Sequence, residues 1–182
     1  MTRASVAVSS LLIAALAAVP VVFAQQDDDD DDDAALGAVV MNAPISLGQG
    51  LAASSREGTP ISGKFEIEKD GAQLSVYTAR NDAYAEVIVD RQTGRIAKVI
   101  PIVDGNDLAA AREQVEAMRH AGVSLEQVTA SALKGSPGYR AVSATPGRKD
   151  GRVDAPPLAR IVLTNGREWK TVYEPLESGE KL

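Results

Sequence analysis

The sequence predicts an α+β fold, with helices laid across small antiparallel sheets in two tandem units that pack together. Three observations predict it. Several segments alternate strictly between apolar and polar residues, a helix-start pattern occurs twice, and turn residues punctuate the chain between them. The chain has 182 residues, enough for one domain or two small ones. Its apolar content of 45% is ordinary for a globular protein, whereas aromatics are only 4%. The core is therefore expected to be built from Val, Ile, Leu and Ala.

The first element is an address. Arg3 supplies a positive start, Leu11 to Val22 an apolar run, and Val22-Phe23-Ala24 a cleavage-site pattern. Residues 1–24 read as a secretory signal cleaved after Ala24, which sends the chain to the periplasm or the medium. The competing reading is an uncleaved anchor, because Val6 to Ala24 is nearly long enough to span a bilayer. The chain has no cysteine, so disulfides, thiolate catalysis, cysteine zinc sites and lipid attachment at cysteine are excluded.

Residues 25–40 are expected to form an acidic disordered linker. Its centre is a run of seven aspartates, Asp27, Asp28, Asp29, Asp30, Asp31, Asp32 and Asp33. Adjacent like charges repel, which favours a solvated, extended spacer. The alternative is a tether for divalent cations or a basic protein, since carboxylates are hard ligands. Against it, the run has neither the glycine turn nor the carbonyl ligands of a calcium loop. The formal net charge is −6. Without residues 1–24 the loss of Arg3 leaves 18 basic against 25 acidic residues, or −7, all of it in the aspartate run. The remainder is neutral overall, which argues against nucleic-acid binding.

An internal repeat organises the rest. Ile45-Ser46-Leu47-Gly48-Gln49 matches Val123-Ser124-Leu125-Glu126-Gln127, an offset of 78 residues. Ser46 and Ser124 suit N-caps, and Gln49 and Gln127 complete capping boxes three residues later. Gly58-Thr59-Pro60 and Gly135-Ser136-Pro137 close the two helical patterns. Residues 41–103 form the first unit and 104–182 a connecting helix plus the second.

In the first unit, Lys64 to Glu68 alternates, Asp70-Gly71 marks a hairpin, and Gln73 to Thr78 alternates again. Arg80-Asn81-Asp82 turns the chain, Ala85 to Val89 forms a third strand, and Ile96 to Ile100 a fourth. Asp107 is expected to cap the connecting helix, whose apolar stripe is Leu108, Ala111, Val115 and Met118, with Gly122 as its stop. In the second unit, Tyr139 to Thr145 is a strand. Pro146 to Pro157 replaces the second strand or reduces it to a stub. Ile161 to Thr164 matches Val87 to Asp90, and Arg167 to Tyr173 closes the unit.

These residues resemble a PepSY domain. The resemblance rests on the Ser-Leu-x-Gln helix start, the Gly-x-Pro break, the Phe65-Glu66-Ile67-Glu68 strand and the Asp70-Gly71 hairpin. It rests most on Ala85 to Arg95, which is similar to the family's closing strand and Asp-x-x-Thr-Gly turn. It covers about residues 45–100 well and 123–174 more weakly. It implies a small exported protein that restrains or inhibits a peptidase, and it carries no catalytic residues.

Catalytic and cofactor motifs are missing from the sequence. The single histidine, His120, rules out a His-rich zinc site and suits a helix C-terminus. No nucleophile elbow, Walker loop or dinucleotide fingerprint occurs. Asp104-Gly105-Asn106-Asp107 reads as a turn and helix cap, and Glu66 and Glu68 as the wet face of a sheet. Trp169 has two readings, core packing or an anchor in a partner's pocket. The expectation is thus a non-enzymatic binding module with no cofactor and a protein partner. The alternative is an envelope cation-binding or structural module that works through Asp27 to Asp33.

Overall fold

The computed structural model describes residues 30–119, 121–148, 151–152 and 155–177. The signal segment, Asp27 to Asp29 and His120 lie outside the described residues. Among these, four helices and seven strands follow in the order α1 (Asp30–Asn42), α2 (Leu47–Ser54), β1 (Thr59–Glu68), β2 (Gly71–Arg80), β3 (Ala83–Val89), β4 (Ile96–Ile102), α3 (Gly105–Met118), α4 (Leu125–Lys134), β5 (Arg140–Arg148), β6 (Pro157–Thr164) and β7 (Trp169–Pro175). The α+β class is as expected.

The strands form one antiparallel sheet in the order β4-β3-β2-β1-β5-β6-β7. This corrects the expectation of two separate small sheets. The halves join edge to edge where Gly63 pairs with Ala144 and Lys64 with Ser143. Residues 140–148 continue as one strand through Pro146, and the next begins at Pro157. β6 then pairs directly with β5, as β2 pairs with β1. The segment Ile161 to Thr164 therefore takes the place beside the first strand of its half, not the place of the third. No described strand follows β7 as β4 follows β3.

Local chemistry explains the helix starts. The Ser46 hydroxyl accepts from Gln49 N at 3.2 Å while Gln49 Oε1 accepts from Ser46 N at 2.8 Å. Ser124 and Gln127 repeat both bonds at the same distances. Each box satisfies two backbone donors that a helix start leaves unpaired. The connecting helix differs from expectation at both ends. Asp104 is its N-cap, Asp107 lies in the first turn, and the helix stops at Met118, ahead of Gly122.

The main core lies between the sheet and the α2–α4 pair. Leu47, Leu51, Leu74, Val76, Val87, Leu125, Val128, Ile161 and Leu163 are buried there. Each such side chain contributes roughly 1.5–3 kcal/mol by leaving water. Close approach is possible because α2 carries Gly50, where a Cβ would stand 2.7 Å from Leu74 Cδ2. Gly63 lies beneath Leu47 and Leu51, so its neighbour Ser62 faces the other way. There the Ser62 hydroxyl donates to Gln114 Oε1 of α3 at 2.8 Å. α3 thus covers the opposite side of the sheet, and its stripe of Leu108, Ala111, Val115 and Met118 is buried or half-buried as expected.

α1 overturns the prediction of a disordered linker through residue 40. It packs on β1, β5 and β6, with Val40 fully buried and Gly37 against Gly166 and Thr164. The apolar run Ala34 to Met41 has a surface to bury, which outweighs the disorder that the neighbouring charges favour. Asp33, near its start, also sits where a helix dipole favours negative charge.

Candidate functional site

The predicted site residues scatter. Asp30 to Asp33 enter the first turn of α1, and Asp33 is half-buried. Among the described residues no group of acidic or histidine side chains is arranged to hold a metal ion. Trp169 opens β7 opposite Thr164 and packs half-buried against the core, which matches its core-packing reading. Tyr173 lies on the same face and is 55% exposed.

The side of the sheet that faces α3 carries a polar network. The Ser75 hydroxyl donates to Glu66 Oε1 at 2.6 Å, Gln73 Nε2 donates to Ser75 Oγ at 2.7 Å, and Lys64 pairs with Glu66. Glu66 is thus tied into cross-strand bonds and only Glu68 is fully exposed, which corrects the reading of both as a wet face. Burial holds the Tyr77 phenol well above its ordinary value, and Glu86, Glu66, Asp107 and Glu68 add to the shift. Ser75 is fully buried and its hydroxyl is engaged by Glu66 and Gln73, so it serves to position strands and is not an accessible nucleophile.

Two surfaces are open to contact. The first is the outer edge of β4. Among the described residues no strand lies beyond it and no helix packs substantially on it. Its sequence, Ile96 to Ile102, carries one charge, Lys98. Val99 is 41% exposed and Val103, just past its end, 74%. The edge β7 differs, since α4 packs on it and it carries Lys170 and Glu174.

The second surface is an apolar cleft of about 410 Å³ where the C-terminal end of α2 meets the N-terminal end of α4. Leu51, Ala52, Pro60, Met118, Val123 and Leu125 line it, with Glu126 among its lining. Sequence reading missed the cleft because its residues come from three helices, a strand and a linker. Met118 read as part of the connecting helix's apolar stripe, and Val123 and Leu125 as part of the repeated helix start.

The turn after β3 is the most specific local feature. Asp90 Oδ1 accepts from Gln92 N at 2.8 Å and Thr93 N at 3.2 Å, and Gly94 takes a φ of +71°. These backbone donors, with Arg91 nearby, hold the Asp90 carboxyl below its ordinary value. Asn165 builds the β6–β7 turn in the same manner, accepting from Arg167 N and Glu168 N.

Compared with protein-family models, with curated proteins and with solved structures, the chain matches none.

Proposed function

We propose that the chain is an exported, non-enzymatic binding module of two PepSY-like halves that restrains a peptidase. It does so by adding an extended segment of that partner to the edge of β4. The observation that carries this reading is the uncovered, nearly uncharged β4 edge with Val99 and Val103 exposed. Main-chain hydrogen bonds along such an edge are tolerant of sequence, and Lys98 and Pro101 limit uncontrolled growth of the sheet.

The tandem reading has its own support. Both helix starts carry the same capping box with nearly the same N-cap dihedrals, φ −81° and ψ 162° at Ser46 against −82° and 161° at Ser124. Just ahead of each cap the backbone bonds to the segment beyond the third strand of its half, Ile45 N to Arg91 O and Gly122 N to Leu176 O. The described stretch Glu174-Pro175-Leu176-Glu177 thus runs out of the third strand of its half as Val89-Asp90-Arg91-Gln92 does in the first.

The test is retention of envelope proteins by the mature chain starting at Gln25, followed by a peptidase assay on what is held. Three proteins are compared: the unaltered chain, Val99→Asp, and a chain lacking Gln25 to Asp29. A peptidase held and slowed by the first and third but released by Val99→Asp supports the reading. Retention of no envelope protein rejects it. Retention lost only with the aspartates transfers the function to the acidic segment.

A further inference from the structure

We infer that the cleft between α2 and α4 is a second binding site, one that takes an apolar side chain next to a lysine or arginine on a partner segment. The cleft is independent of the β4 edge and stands whether or not that edge binds a peptidase.

Its size and lining suit an apolar group. Its volume of about 410 Å³ lies within the roughly 300–1,000 Å³ typical of ligand pockets, and most of its exposed lining is apolar. Leu51 and Leu125 form a buried floor, whereas Ala52 and the half-buried Val123 and Met118 stay reachable. Methionine beside small residues adapts to different apolar shapes. An apolar side chain that enters removes this surface from water together with its own.

Charge selects the neighbour of that apolar group. Glu126 is the one formally charged side chain among the described lining residues. It is exposed, and among the described residues it forms no ion pair. The cations nearest in sequence to the lining are already engaged, Arg56 with Glu57 at 3.5 Å and Arg119 with Glu116 at 2.8 Å. The first turn of α4 welcomes a carboxylate through the helix dipole, which accounts for Glu126 being there. It still leaves a lone negative charge beside an apolar cleft, the complement of an apolar-basic segment.

The test uses two blocked pentapeptides, one alternating leucine with lysine and one alternating leucine with glutamate. Each is titrated into the mature chain while the backbone amide signals of Leu51, Ala52, Val123 and Leu125 are followed by NMR. The lysine peptide is expected to move these signals and to bind about two- to fivefold more tightly at low salt than the glutamate peptide. Glu126→Lys reverses the order. Ala52→Arg, at an exposed position, blocks the cleft and weakens both peptides about tenfold while the remaining signals keep their places. Equal affinity for the two peptides, or no movement of the cleft signals with either, overturns the inference.

Discussion

Asp90 and two glycines show how single residues set local geometry. The Asp90 carboxylate is favoured in the folded turn, so its folded pKa lies below its unfolded one. The stability it adds is present above its ordinary value near 3.8 and is lost as pH falls through the folded pKa. Asp90→Ala should therefore lower the urea midpoint at pH 7, and the gap to the unaltered chain should narrow by pH 3. A gap independent of pH would assign the turn's stability to Gly94 and the backbone. Gly58 is a second case. A Cβ there would stand 2.8 Å from Ala79 O, a backbone atom that has little room to yield. Gly58→Ala is expected to cost about 1–3 kcal/mol. Gly48, by contrast, has only Ser46 Oγ near its Cβ position, at 4.0 Å. Gly48→Ala should stabilise by about 0.4–1 kcal/mol through the unfolded chain. Equal effects at the two positions in chemical denaturation would refute the steric argument.

The elements divide by the range of the interaction that specifies them. The helix starts at Ser46 and Ser124 were legible because a capping box is complete within four residues. The strands of the first half were legible because alternation and turn residues are local too. Ser46→Ala and Ser124→Ala should each cost about 1 kcal/mol, within 0.5–2. Measured by thermal and urea unfolding, the double variant should lose nearly the sum, since the boxes share no partner. α1 was not legible. Its aspartates argue for disorder, and only its contact with β1, β5 and β6 supplies the burial that makes Val40 part of the core. The second half was misaligned for a related reason. The likeness of Ile161 to Thr164 with Val87 to Asp90 is real in composition, but pairing with β5 decides its place in the sheet. The cleft lies beyond sequence reading altogether, because no local pattern marks residues that meet across five segments.

At the scale of the whole molecule, the join between β1 and β5 decides whether there are two bodies or one. Its pairing is short, yet the core beneath it is continuous, since Leu47 and Leu51 share a cluster with Ala144, Leu125 and Ile161. The molecule is therefore expected to unfold in a single transition, with circular dichroism and tryptophan fluorescence giving one midpoint. A fragment of residues 25–103 keeps β1 to β4 and loses both α4 and the strand that covers β1. It should associate or unfold on size-exclusion chromatography. A well-behaved folded monomer would establish that the first half is autonomous.

That join also sets an order of events in time. Every strand pairing except one links neighbours along the chain, from β1 with β2 through β3 with β4 and again from β5 through β7. Such pairings close short loops and form quickly. The exception brings Gly63 to Ala144, 81 positions later. During synthesis the first half leads, so β1 to β4 can be in place before β5 has appeared. Until then β1 is a bare edge, a third open border that the finished protein no longer has. The speed with which β5 arrives then decides how much of the newly made protein reaches its final form and how much meets another copy of itself first.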